Sequence, residues 1–279
     1  MTALLRTDGV SKAFGGVQAL DGCSIEVARG SIAGLIGPNG SGKTTLFNMI
    51  TGYGRVDSGD VYLNDTKITN LAPDKVFALG IGRTFQLTRV FSRLTVMENM
   101  IVAAHHKERA GRPGEGRVRN PFARAGGAAT RQRAMELLEF TGIARLAGDR
   151  AETLSYGQRK LLELAYVMIA DPEIILLDEP AGGVNPTLIG TIAGRIRDLN
   201  RQGTTFLIVE HNMEFVMGLC DRVTVLDYGN AVPCRFSSRI RSAFVPIRVG
   251  FTPPAGSSSR MISGSAISTY DSSSSLRWP

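Results

Sequence analysis

The stretch "SIAGLIGPNGSGKTTLFNMI", Ser31 to Ile50, leaves a chain few choices. An apolar run ends in a glycine-rich turn, Gly37 to Thr45, and Leu46, Met49 and Ile50 follow at helical spacing. The turn (Gly37, Pro38, Asn39, Gly40, Ser41, Gly42, Lys43, Thr44, Thr45) satisfies GxxxxGK(S/T) between a strand and a helix, the context in which that pattern has a mechanism. Its glycines let the backbone wrap phosphate groups so that its amides donate to them. The Lys43 ammonium would reach the β and γ oxygens, and the Thr44 hydroxyl would bind Mg²⁺. Gly52 is placed to close the helix.

The rest of the pattern extends this unit. Residues 4 to 36 read as short strands and turns, with "CSIEV" alternating and Gly30 turning, and "GDVYLNDTKI" is a further alternating strand and turn. From about 87 to 170 the chain becomes mostly helical, broken by "KERAGRPGEGRVRNPFARAGG", whose Gly, Pro and Arg content marks a loop. Then "EIILLDEP", "TTFLIVEH" and "RVTVLDYG" alternate with helices from about Thr187 to Arg201 and from about Met213. Such alternation predicts an α/β fold with a mainly parallel sheet, into which the helical middle is inserted.

Two further stretches carry chemistry. "IILLDEP" is a buried strand ending in Asp178 and Glu179. Beside a phosphate loop, a carboxylate at such an end holds the metal, which suits Asp178, and Glu179 is then placed to polarise an attacking water. "ETLSYGQRKLLELAYVM" puts Ser155, Tyr156 and Gly157 at a helix entrance, where unpaired amides and the helix dipole favour an anion. It is a second anion site, without a lysine.

These motifs resemble, in type and in order, those of the nucleotide-binding subunits of ABC transporters, over about residues 4 to 229. "LSYGQ" is similar to the family signature, "RTFQ" ending in Gln86 to its Q-loop, and "IVEH" ending in His211 to its switch histidine. The resemblance implies a P-loop NTPase with an N-terminal antiparallel β subdomain and an inserted helical subdomain, using ATP and Mg²⁺. Two such domains pack head to tail, so that Ser155, Tyr156, Gly157 and Gln158 of one would close over the ATP held by the other. Phe14 would stack on adenine, Gln86 would touch the metal or water, and His211 would hydrogen-bond the γ-phosphate. "EPAGGVNP", "SYGQ", "VEHNM" and "GIGRTFQ" look like the importer ATPases for branched-chain and other hydrophobic amino acids. Tyr156, where most of the family has glycine, and Asn185, where many have aspartate, fit that branch. Expected partners are a second ATPase subunit, membrane permease subunits docking near Gln86 to Asn99 and, indirectly, an external binding protein, with the chain on the cytoplasmic face of the membrane. An ABC ATPase for another cargo, or one associated with nucleic acid, is the alternative.

Composition limits the classes. An apolar content of 43% supports a real core, and no apolar run approaches the roughly 20 residues of a membrane span. "MTALLRTDGV" turns polar too early for a secretory signal. Cys23, Cys220 and Cys234 are far apart, giving neither a zinc nor a disulfide framework; inert thiols are expected. The net charge of +7 would hint at nucleic acid or anionic lipid, but Arg235, Arg239, Arg241, Arg248, Arg260 and Arg277 stand against the single acid Asp271 after Asn230, so most of the excess lies in the tail. No nucleic-acid partner is expected, and the basic loop from Lys107 to Arg131 reads as solvated rather than lipid-binding.

After "VTVLDYGN" the pattern stops: "AVPCRFSSRIRSAFVPIRVG" and the serine-rich residues beyond it contain no Lys and no Glu. The ATPase domain is placed at 1–234, and 235–279 is expected to be disordered. A shift of reading frame near Asn230 explains the break; a genuine low-complexity extension is the other reading. Either leaves "RVTVLDYG" without the second strand of its hairpin, an open edge, and allows a product that assembles with nothing.

Overall fold

The computed structural model describes residues 2–84, 90–110, 127–227 and 229–234, with 105–110 and 232–234 described by backbone alone. Gln86, residues 111–126 and residues 235–279 lie outside the described residues.

The N-terminal part is built from two 12-residue strands, β1 (Ala3–Phe14) and β2 (Val17–Ala28), rather than from several short ones. They form a hairpin in which Phe14 faces Val17 across Gly15 and Gly16, both at positive φ, the backbone that a two-residue turn demands. Register shifts where β1 passes Gly9 break the alternation that would have advertised a long strand. With β4 (Ser58–Leu63) and β5 (Thr66–Lys67) they make an antiparallel sheet of order β2-β1-β4-β5.

The second sheet has the order β10-β9-β3-β8-β7-β6. Four of its strands are β3 (Ile32–Ile36), β6 (Ile81–Arg83), β7 (Ile174–Asp178) and β8 (Thr205–Val209). They pair in parallel with one another and with β9 (Arg222–Asp227). Every residue of β7 and β8 is buried, as expected of a sheet covered on both faces. Alternate side chains enter different cores. Ile174, Leu176, Leu207 and Val209 pack toward the antiparallel sheet and α1 (Lys43–Ile50), whereas Ile175, Leu177, Phe206 and Ile208 pack toward the helices.

One expectation is overturned here. β9 does have its hairpin partner: β10 (Asn230–Cys234) pairs antiparallel with it, from Asn230 opposite Asp227 to Cys234 opposite Val223. Pro233 is tolerated because β10 is the edge strand and needs no donor on its outer side.

The helices are α2 (Pro73–Ala78), α3 (Val96–Ala110), α4 (Ala128–Thr141), α5 (Tyr156–Met168), α6 (Pro186–Arg201) and α7 (Met213–Leu219). The segment read as a loop from Lys107 is thus helical at both ends, through Ala110 and again from Ala128. The inserted helices share a core with the sheet: Met100, Leu138 and Leu162 belong to the same buried cluster as Phe206 and Ile208. Gly82 admits α5 to the sheet, since a Cβ there would lie 2.4 Å from Val167 Cγ1. Burial pushes the Cys23 thiol up to about 11 and the Cys220 thiol up to about 12, so both are inert, as expected.

Candidate nucleotide site

Parallel pairing sends the carboxyl ends of β3, β6, β7 and β8 to one edge of the sheet. Gly37 follows β3, Asp178 ends β7, and Glu210 and His211 follow β8, so residues far apart in sequence meet there.

The glycine-rich turn is held by close backbone approach. Gly37 has φ 155° and Gly42 φ 100°, and a Cβ would meet the Leu226 carbonyl oxygen at 2.1 Å from the first and that of Ala19 at 2.4 Å from the second. Any side chain at these positions would unwrap the turn. Lys43 donates from Nζ to the carbonyl oxygens of Gly37 and Pro38, each at 2.8 Å, so its ammonium lies inside the turn. Burial holds its pKa below the ordinary lysine value, while Glu179 and Asp178 pull it upward. Ser41 is 3% exposed, yet its hydroxyl has no hydrogen-bond partner among the described residues. A buried polar atom without a partner in a wrapped turn fits an anion that the turn would receive. The exposed hydroxyl of Thr44 and the carboxylate of Asp178 are hard oxygen donors of the kind Mg²⁺ takes.

Asp178 is 3% exposed, and burial raises its pKa, opposed by the Arg83 guanidinium at 3.4 Å. Arg83 also donates to Asn48 Oδ1 at 2.7 Å and Thr51 Oγ1 at 3.0 Å, tying the end of β6 to α1. Glu179 carries φ +50°, uncommon for a residue with a side chain, and its Oε1 lies 3.7 Å from His211 Nδ1. Strained backbone of this kind concentrates at functional sites. Glu210, 1% exposed, accepts from the amides of Ala181 at 2.6 Å, His211 at 3.0 Å and Asn212 at 3.1 Å. It clamps the loop after Glu179 to the loop that carries His211. Phe14 is 53% exposed at the end of β1, with Lys12 Nζ 5.2 Å from its ring centroid, an open face suited to stacking.

The second helix entrance is built as its sequence implied. Ser155 caps α5 in a reciprocal box: Ser155 Oγ accepts from the Gln158 amide at 3.2 Å, and Gln158 Oε1 accepts from the Ser155 amide at 2.8 Å. The amides of Tyr156 and Gly157 have no acceptor among the described residues. Tyr156 lies over the loop after Glu179, where a Cβ on Gly183 would be 3.2 Å from its ring. Asn185 caps α6 without needing a carboxylate, since its Oδ1 accepts from the Leu188 amide at 2.9 Å.

Lys43, Asp178, Glu179 and His211 are therefore brought to the sheet edge, and Ser155, Tyr156 and Gly157 form a separate helix start. Sequence reading missed Arg83, Glu210 and Lys160 of α5, whose Nζ donates to the Glu179 carbonyl at 3.0 Å. A basic residue two places before "FQ" and an acid directly before the histidine were the only signals.

A glycine-rich turn around a lysine, backed by a buried acid and a second carboxylate at a parallel sheet edge, defines a P-loop nucleotide hydrolase. The chain belongs to the ABC transporter family, whose model matches residues 20–182. It is 37% identical over 240 residues to the high-affinity branched-chain amino acid transport ATP-binding protein LivG of Escherichia coli, covering 86% of this chain and 94% of that one. It is 34% identical over 227 residues to BraF of Pseudomonas aeruginosa, which bears the same description, covering 81% and 89%. Among solved structures, a nucleotide-free ATP-binding cassette from an ABC transporter superposes with a TM-score of 0.75 at 35% identity, over 86% of this chain and 94% of that one. A dimeric bacterial ABC transporter cassette superposes with a TM-score of 0.70 at 25% identity, over 84% and 100%. The chain is an ABC ATPase. Among the described residues no helix is long and apolar enough to cross a membrane.

Proposed function

We propose that this ATPase drives a membrane importer for branched-chain or other hydrophobic amino acids. The observation that carries the hydrolytic assignment is the Glu179 carboxylate, 3.7 Å from His211 at the edge that also holds Lys43 and Asp178. Glu179 orients and polarises the water, His211 hydrogen-bonds the γ-phosphate, and the amides of Gly37 to Thr45 with Lys43 hold the phosphates. Phe14 stacks on adenine. Thr44 and Asp178, with Gln86, would hold Mg²⁺, which neutralises charge on the β and γ oxygens when bound. The cargo follows from the relatives named above, which are branched-chain amino acid transport proteins.

The helix start at Ser155 supplies donors but no lysine, so it suits an already bound phosphate better than free ATP. In a head-to-tail dimer, Ser155, Tyr156, Gly157 and Gln158 serve the partner's nucleotide and link nucleotide state to dimer state. Permease subunits dock at the segment leading into α3, place the chain at the cytoplasmic face of the membrane, and receive cargo from an external binding protein.

The test is Glu179→Gln, which slows hydrolysis while keeping the shape of the site. Light scattering should give a doubled molar mass with ATP and not without it. A variant that binds ATP and stays monomeric would count against the self-paired dimer. Labelled leucine uptake by vesicles carrying the chain and its permeases checks the cargo.

A further inference from the structure

Lys160 is a lysine where the packing offers no obvious use for one. It lies in α5, is 7% exposed, and its charge acts on the Asp178 carboxylate, although among the described residues no carboxylate makes an ion-pair contact with it. Burying an ammonium is costly unless it finds partners. The partners here are unusual: Nζ donates to the backbone carbonyl of Glu179 at 3.0 Å and sits 5.7 Å from the ring centroid of Tyr156. The contact therefore reaches the main chain of the hydrolytic residue.

That main chain needs holding. Glu179 stands at φ +50°, a conformation that is strained in a residue with a side chain and persists where its surroundings over-determine it. Its amide donates to the Val209 carbonyl at 2.9 Å, and its carbonyl accepts from the Gly182 amide at 3.1 Å as well as from Lys160. The direction of the side chain follows from this peptide. A shift of the carbonyl would swing the carboxylate away from His211.

We propose that Lys160 is a positioning residue for hydrolysis: its ammonium fixes the left-handed turn at Glu179 and so aims the carboxylate at the water. Because Lys160 rides on the helix whose first turn meets the partner's ATP, it also ties hydrolysis in one site to closure over the other. This second role rests on the dimer proposed above.

The experiment compares ATP hydrolysis by the full chain in four forms: wild type, K160M, K160R and K160M combined with E179Q, with single-turnover assays for the slow ones. K160M keeps most of the apolar stem and removes the donor. It should lower kcat by about 10- to 100-fold, the scale of a small misplacement of a catalytic group, while KM for ATP stays within about threefold. K160R, which keeps a charged donor, should recover most of that loss. In the E179Q background K160M should change the rate by less than about twofold, because the residue it acts through is already disabled.

Full wild-type turnover in K160M would overturn the proposal, as would a K160M loss that multiplies with that of E179Q. A loss matched by an equal loss of folded protein in circular dichroism, with K160R no better than K160M, would also overturn it. A wild-type chain that hydrolyses no ATP would remove the proposed function and this inference together.

Discussion

At the scale of single residues, the site depends on atoms that hold loops as much as on those that would face the nucleotide. Glu210 is the clearest case, with three backbone amides converging on one buried carboxylate. Replacing it with Gln removes a charged acceptor and turns an NH₂ group toward donors, leaving at least one amide unsatisfied at about 1–3 kcal/mol. The same change releases the backbone of His211, whose proposed hydrogen bond to the γ-phosphate would be worth on the order of 10²-fold in rate. Glu210→Gln should therefore lose about 10- to 100-fold in kcat and unfold at lower urea. Steady-state turnover at saturating ATP and an unfolding curve check both, and turnover within about twofold of wild type would show that His211 is held by other means.

Elements show which parts of this arrangement a sequence can display. The turn at Lys43 and the strand ending in Asp178 are legible because all their information is local: an apolar run, then glycines or acids. Lys160 and Glu210 are opaque because the contacts that tie them to the loop after β7, the Glu179 carbonyl and the Ala181 amide, lie 19 and 29 residues away, across a fold not yet known. β1 and β2 read as short because glycines and register shifts interrupt their alternation, and β10 is hidden because a change of composition masks a pairing that only the fold reveals. The start of α5 is legible for a different reason, since Ser155, Tyr156 and Gly157 stand directly before an apolar helical run, and the structure adds the reciprocal cap between Ser155 and Gln158. That pair has a structural and a proposed ligand role, and nucleotide separates them. Ser155→Ala should lower stability by about 1 kcal/mol without ATP, through the lost cap. In the Glu179→Gln background it should also weaken ATP-driven doubling of mass. Loss of stability with dimerisation intact would leave only the cap.

Over the whole molecule, the parallel sheet joins two cores, one under the antiparallel sheet and one among the helices, and residues of β7 and β8 feed both in alternation. The helical segment is therefore continuous in packing with the nucleotide sheet, and movement of α5 can reach Glu179 without a hinge through solvent. Among the described residues, the last buried member of either core is Leu226, with Ala231 of β10 packed against the second. β10 also covers β9, whose backbone would otherwise present an open edge. A chain ended at Cys234 should keep the thermal midpoint and turnover of the full chain, because it retains every described residue of both cores and the hairpin. Ending it at Asp227 removes β10 and the Gly229 contacts, in which the amide donates to the Ser41 carbonyl at 3.1 Å and the carbonyl accepts from the Asp21 amide at 3.1 Å. The shorter chain should unfold several degrees lower and aggregate, since loss of about 1–2 kcal/mol shifts the midpoint of a domain this size by roughly 2–8 °C. Its phosphate turn should bind ATP more weakly, because Gly229 pins Ser41 within it. Thermal scans and nucleotide titrations on the two truncations decide between these outcomes: equal behaviour would show that the hairpin supports neither the sheet edge nor the turn.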